Sequence, residues 1–233
     1  MDRGELVYDL LENCDSILDI GCASGYYTKL YSKKCKMIFG VDPNKDLIEK
    51  AKIENPEIRF MVCGAEKLPF KDNEFNFVIL SDVLEHVKDE NKSLNEVYRV
   101  LKKDGKVIIT APHNGLFRFL DVDNYSWYAR KFKGFYRLIH RLKGREPPKI
   151  KEGYGNKHRH YSLKDLRKLL GGFEIVKYRR NGLITGDFGS NIKLFSRWIF
   201  NKEIELKWLR QLDYKYSFGR FSSSIVVVAK KLE

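Results

Sequence analysis

Between residues 16 and 110 the chain alternates short apolar runs with helical patterns, and this alternation limits the fold more than any other feature. Residues 16–20, 36–41, 58–62, 75–80 and 106–110 read as strands, and 26–33 and 45–53 as helices. Leu94, Val97, Tyr98 and Leu101 recur at i, i+3, i+4 and i+7, the spacing of one buried helix face. Asp104-Gly105 is expected to stop that helix before the strand at 106. Strands alternating with helices of this length join by right-handed crossovers into a parallel sheet covered by helices.

The pattern breaks after Pro112. Residues 130–159 hold eleven Lys or Arg, and Phe117, Phe119, Tyr125, Trp127, Tyr128, Phe132, Phe135 and Tyr136 crowd the same region. Pro147-Pro148 forbids a helix through that point. Too few aliphatic residues are present for a second core, so 113–160 reads as a basic, aromatic lid inserted over the sheet. Regularity returns at Ser162-x-x-Asp165, a capping-box pattern followed by Leu163, Leu166, Leu169 and Leu170 at helical spacing. Gly171-Gly172 ends this helix, 173–178 reads as a strand and 222–229 as a final buried strand. Residues 183–213 form an amphipathic excursion between them. The expectation is one domain over 1–233.

Charge divides the chain at the same place. Residues 1–112 carry 17 Lys/Arg and 20 Asp/Glu, a net of −3, whereas 113–233 carry 27 and 11, a net of +16. The first half has the balance of an ordinary domain and the second is suited to a negative partner. With 43% hydrophobic residues the chain can form a core, and no apolar run reaches the ~18 residues of a transmembrane span. The N-terminus lacks the basic-then-apolar order of an export signal, so a cytoplasmic location is expected. Cys14, Cys22, Cys35 and Cys63 form no C-x-x-C pair; reduced, mostly buried thiols are expected, and no metal site.

The sharpest local signal is Ile17-Leu18-Asp19-Ile20-Gly21-Cys22-Ala23-Ser24-Gly25, set between a strand and a helix. Glycines there permit a tight turn and close approach to a ligand. The spacing is Asp-x-Gly-x-Ala-x-Gly rather than G-x-G-x-x-G. Asp19 beside the loop would repel a phosphate and suits a cationic ligand such as an ammonium group. Asp42, closing the second strand, is placed to accept both hydroxyls of a ribose through charge-assisted hydrogen bonds. An amino-acid end with a ribose points to a nucleoside–amino acid conjugate.

With these residues in view, the sequence resembles the class I S-adenosylmethionine-dependent methyltransferases, in the small group that includes ubiquinone and menaquinone methyltransferases. ILDIGCASG resembles the first motif of that family and GVD the second. GAEKLPF, FNFVILSDVLEHV and EVYRVLKKDGKVIITAP resemble the third, fourth and fifth, and HYSLKDLRKLLGGFEIV the C-terminal helix and sixth strand. The resemblance spans the chain except 113–159 and 180–220. It implies an α/β, Rossmann-like fold with a seven-stranded, mainly parallel sheet, the last strand antiparallel and helices on both faces. It also implies S-adenosylmethionine as cofactor, S-adenosylhomocysteine as product, and Asp19, Gly21, Cys22, Gly25, Asp42, Ala65, Glu66, Ser81 and Asp82 as cofactor-site residues. Two positions depart from the pattern. Ala23 replaces the middle glycine, which is tolerable where φ is not positive. Gly64 stands where many relatives carry an acid toward the adenine, leaving backbone near Ala65, Glu66 and apolar Leu68 to hold the base.

His86 follows the fourth strand, and His113 and His160, with His158 and Tyr161, stand at the edges of the lid. His86, His113 and His160 are the candidate bases, since an unperturbed imidazole titrates near ~6.5. Their ordinary reading is packing, capping or added positive charge. A base is required only if the nucleophile must lose a proton, because alignment alone removes much of the barrier to methyl transfer. For the basic half, three partners fit: an acidic small-molecule or lipid- or sugar-linked acceptor, with peripheral contact to an anionic membrane; RNA such as tRNA; or nothing, in a lysine-rich surface. The −3 of the first half argues against the last, and no RNA-binding module pattern appears. A methyltransferase-like protein that binds the cofactor without chemistry is the alternative to an active enzyme.

Overall fold

The computed structural model describes residues 3–115, 134, 159–181, 219 and 222–233. The elements are α1 (Arg3–Leu10), β1 (Cys14–Ile20), α2 (Tyr26–Tyr31), β2 (Cys35–Asp42), α3 (Lys45–Glu54), β3 (Arg59–Val62), β4 (Phe75–Ser81), α4 (Glu90–Val100), β5 (Leu101–Pro112), α5 (Leu163–Leu169), β6 (Phe173–Asn181) and β7 (Ser224–Lys231). One sheet runs in the order β3-β2-β1-β4-β5-β7-β6. The first five strands are parallel, and β7 lies antiparallel between β5 and β6.

Both faces of the sheet are covered, which is why the strands read as continuous apolar runs. Leu18, Ile20, Ile109 and Val227 point into a core with Leu94 and Val97 of α4 and Leu166 of α5. Their strand neighbours Ile17, Ile108 and Val226 point into a second core with Leu6 and Val7 of α1 and Ile48 and Ala51 of α3. The alternation follows from the two-residue side-chain period of a strand. Caps fix the helix starts. The Asn44 side chain accepts from Asp46 N and Leu47 N, and Asp89 from Lys92 N. Ser162 and Asp165 form the expected capping box on α5.

Three expectations are corrected. α4 ends at Val100, because Leu101 already pairs with Phe75 in the sheet; Asp104, at φ 63°, marks an irregularity within β5 rather than the helix stop. Ala23 has a positive φ of 48°, so its methyl group sits in the left-handed region. Of the four cysteines only Cys22 is buried; Cys14 and Cys35 open their strands at the outer rim, and Cys63 follows β3. The expected lid, 113–160, and excursion, 183–213, lie outside the described residues apart from 113–115, 134, 159 and 160. Among the described residues no helix is long and apolar enough to cross a membrane.

Candidate functional site

The sheet order reverses between β1 and β4, and α/β folds bind ligands in the crevice outside the carboxyl ends of such strands. Here the glycine loop folds back over β2: Gly21 N and Cys22 N both donate to Val41 O, at 2.7 and 3.1 Å. Gly21 and Gly25 have φ of 74° and 79°. A Cβ on Gly21 would stand 2.4 Å from Val83 Cγ2, and one on Gly25 2.7 Å from Phe60 Cζ. Both glycines are therefore required by conformation and by space.

Three carboxylates surround the loop. Asp19 is buried and accepts 2.6 Å from the Thr28 hydroxyl. Burial pushes its pKa up to about 7, against the Thr28 hydrogen bond, with the Asp42 charge adding to the rise. Asp42 accepts from Ala23 N at 3.1 Å and Asn44 N at 2.8 Å, one bond to each oxygen, so it ties the loop to the start of α3. Asp82, at φ 54°, is held by the Thr110 hydroxyl at 3.2 Å and by the Arg3 guanidinium at 2.5 Å.

Asp19, Gly21, Cys22, Ser81 and Asp82 line a single cavity of about 390 Å³, within the usual ~300–1,000 Å³ of a small-molecule site. Arg3, Ala23, Tyr27 and Tyr31 line it too and were not foreseen from sequence. Tyr27 and Tyr31 are one helical turn apart on α2, a spacing that could have marked them; Arg3 lies in no motif. Burial pushes the Cys22 thiol far up, so it serves the wall as an apolar group. Gly25 and Asp42 adjoin the cavity through the loop. Ala65 is buried beyond β3, where Cys63 N donates to Asp42 O at 3.0 Å. Glu66 braces the loop between β4 and α4, accepting from Lys88 N at 3.0 Å.

The histidines separate. His86 is exposed on a turn. His113 and His160 stand together past the end of β5, where His113 and Tyr161 form a parallel bridge. His113 is buried, and its Nδ1 lies 3.0 Å from Ser222 O. A carbonyl can only accept, so Nδ1 carries the proton and Nε2 keeps its lone pair. Burial holds this imidazole below its ordinary pKa; the Ser222 bond opposes the shift, and the charges of Arg180 and His160 add to it. Nearby, the Tyr161 hydroxyl donates 2.5 Å to Glu90 Oε1, which also pairs with Arg159 at 3.0 Å.

A family model described as a methyltransferase domain matches residues 18–109, the span from β1 to β5 that carries the glycine loop and the acids around it. Over this span the chain is similar to the class I S-adenosylmethionine-dependent methyltransferases. Among its relatives, the methyltransferase YcgJ of Bacillus subtilis is 32% identical over 143 residues, covering 58% of this chain and 50% of that protein. A ubiquinone/menaquinone biosynthesis C-methyltransferase, UbiE, of Rickettsia prowazekii is 31% identical over 118 residues, 46% and 48% of the two chains. The chain thus spans about half the length of the curated relatives it matches. A solved S-adenosylmethionine-dependent methyltransferase from Methanosarcina mazei shares the fold across 100% of this chain and 99% of its own, with a TM-score of 0.63 and 23% identity.

Proposed function

We propose that this methyltransferase moves the methyl group of S-adenosylmethionine to an acidic acceptor, a small molecule or a lipid- or sugar-linked one, entering over the carboxyl ends of β4 and β5. The observation that carries the reading is that one cavity gathers a buried carboxylate, Asp19, and the oppositely charged pair Arg3 and Asp82. That donor set fits the cofactor. A zwitterionic amino-acid end needs both signs; Arg3 would take the carboxylate, and Asp82 with Asp19 the positive side. Asp42 keeps lone pairs beyond its two backbone bonds to accept a ribose diol. Ala65, Glu66 and Leu68, in the segment after β3, would hold the adenine.

Bound S-adenosylmethionine supplies an electrophilic methyl group on a sulfonium and leaves as S-adenosylhomocysteine. The chain's own part is alignment, exclusion of water and, where the nucleophile carries a proton, its removal. His113 suits that last role, being neutral near pH 7 with a free Nε2 lone pair on a ring fixed by Ser222. The +16 of residues 113–233 supports an acidic acceptor. The printed role of UbiE in quinone biosynthesis supports a lipid-linked one.

Calorimetry with S-adenosylmethionine tests the reading. Saturable binding is expected, weakened about 10–100-fold in Asp42→Ala, which removes hydrogen bonds to a charged group. Absence of binding by the folded wild-type protein removes the proposal, and unchanged affinity in Asp42→Ala removes the ribose assignment.

A further inference from the structure

Between β3 and β4 the chain runs through residues 63–74 without helix or strand, so its backbone polar groups need partners other than a helix or sheet ladder. Two of its residues, Leu68 and Phe70, find them on α4. Leu68 N donates 2.7 Å to Glu96 Oε2, and Leu68 O and Phe70 O accept from Arg99 Nη2 and Nη1 at 3.0 and 2.7 Å. Arg99 also donates from Nη1 to Asp72 Oδ1 at 2.8 Å, and from Nε and Nη2 to the two oxygens of Glu96 at 2.9 and 2.8 Å. A guanidinium carries five N–H donors, and each of the five has an acceptor here.

Glu96 and Arg99 are neighbours three residues apart on α4, on the side of the helix opposite the buried Leu94 and Val97. The Arg99 hydrogen bonds hold the Glu96 carboxyl below the ordinary carboxylate range, against burial, and the Leu68 N–H adds to the lowering. Glu96 therefore stays ionised and the clamp stays charge-assisted on both sides. The segment is tied at further points. Cys63 N donates to Asp42 O at 3.0 Å, and Glu66 Oε1 accepts from Lys88 N at 3.0 Å. The Phe70 ring meets Phe39 and Phe75 edge-on, with centroids 5.2 and 5.0 Å apart.

We propose that Arg99, together with Glu96, is a positioning residue for the adenine of the cofactor. The proposal rests on the reading that S-adenosylmethionine binds here with its base on the segment after β3. With all five donors engaged inside the protein, Arg99 acts through the backbone it holds and not by touching the ligand. One end of the segment is fixed beside Asp42, where the ribose would sit, and the other is fixed at Leu68 and Phe70 by the clamp. The residues between these points, Gly64 to Lys67, are thereby held in one shape before the cofactor arrives. A loop ordered in advance loses no binding free energy to ordering.

The shape of the guanidinium matters here, and not its charge alone. A lysine at 99 would carry all its donors on one nitrogen, and could not reach Leu68 O, Phe70 O and both Glu96 oxygens together. Adenine lies across the ribose from the sulfonium. Loss of the clamp should therefore loosen the hold on the base and leave the contacts of the amino-acid end as they are.

The test uses the full chain, the variant Arg99→Lys and the milder Glu96→Gln, with S-adenosylhomocysteine and S-ribosylhomocysteine as ligands. The second ligand keeps the amino-acid end and the ribose and lacks the adenine. Calorimetry reads the tighter ligand and ligand-observed NMR the weaker. Wild-type protein is expected to prefer S-adenosylhomocysteine. Arg99→Lys should weaken that ligand about tenfold while S-ribosylhomocysteine binds as before, and Glu96→Gln should shift the same ratio by less. Amide hydrogen exchange is followed alongside. The Leu68 amide should exchange faster in both variants, with β1 and β4 as protected as in the wild type. A purely stabilising role would weaken both ligands alike or neither, and either result overturns the proposal. So does equal wild-type affinity for the two ligands, or a loss of protection throughout β1 and β4 in both variants. Failure of the wild type to bind S-adenosylhomocysteine removes the methyltransferase reading itself, whereas wild-type binding with an unchanged ratio in the variants removes only the role of Arg99 and Glu96.

Discussion

The Thr28 hydroxyl donates 2.6 Å to a carboxylate oxygen of Asp19, and no other hydrogen bond is made to that buried side chain among the described residues. This acid of β1, two residues before Gly21, is thus poised between protonated and ionised forms, with a pKa of about 7. The folded value lies above the ordinary 3.8, so the folded state favours the protonated acid. Its contribution to stability is full below pH ~4 and is lost as pH rises through about 7. Without cofactor, Tm should therefore fall between pH 5 and 8 in the wild type and fall less in Asp19→Asn. Binding of the cationic cofactor needs the ionised acid, so affinity should rise by up to about tenfold per unit as pH climbs toward 7 and then level off. Calorimetry at pH 5.5, 7 and 8.5 reads this, and a flat wild-type profile contradicts it.

Ala23 holds a left-handed conformation at φ 48° that costs an L-residue roughly 1–2 kcal/mol. Ala23→Gly should recover about 1 kcal/mol and raise Tm by about 2–4 °C. The loop keeps the Ala23 N–H bond to Asp42, so cofactor affinity should change little. A lowered Tm would show that the methyl group packs usefully.

Gly21 meets both restrictions at once. In Gly21→Ala the new Cβ would collide with Val83 Cγ2 and take a φ of 74°. Destabilisation of at least about 2 kcal/mol is expected, with loss of cofactor binding. Adding Val83→Ala relieves the collision and leaves the backbone strain, so the double variant should recover part of the stability. Full recovery in chemical denaturation would mean that the backbone conformation costs nothing.

Arg3 and Asp82 answer a question of ligand selectivity. Arg3→Met should weaken S-adenosylmethionine binding about tenfold by removing the partner of its carboxylate. Decarboxylated S-adenosylmethionine should bind wild type and variant alike. Equal losses for both ligands would assign Arg3 to packing of α1 over the cavity.

Burial explains which parts of this molecule could be read from its sequence. Strands β1, β4, β5 and β7 lie between two cores, so their central residues are mostly apolar and the runs stand out. Asp19, Gly21 and Asp42 stand out in the sequence because they sit at the ends of β1 and β2 and in the glycine turn that follows β1. The end of α4 was not, because Leu101 is apolar on the helix face and equally suited to pair with Phe75. Arg3 was missed because α1 reaches the cavity through tertiary packing, with Gly4 set against the Tyr27 ring, and a single basic residue leaves no local signal. Asn181 and Ser224 are 43 positions apart and meet only because β7 returns antiparallel beside β6. No pattern within either segment announces that meeting.

The placement of β7 has a bearing on assembly. Among the described residues β6 touches the sheet only through β7, which follows it by more than forty residues. The five parallel strands can pair among themselves as they emerge from the ribosome, whereas β6 must wait, with its backbone unpaired, until β7 inserts beside β5. Such a distant pairing is slow to form and exposes a strand edge meanwhile. The half that carries the glycine loop should therefore mature first, and the rim carrying Asn181 should be the last of the described residues to become rigid.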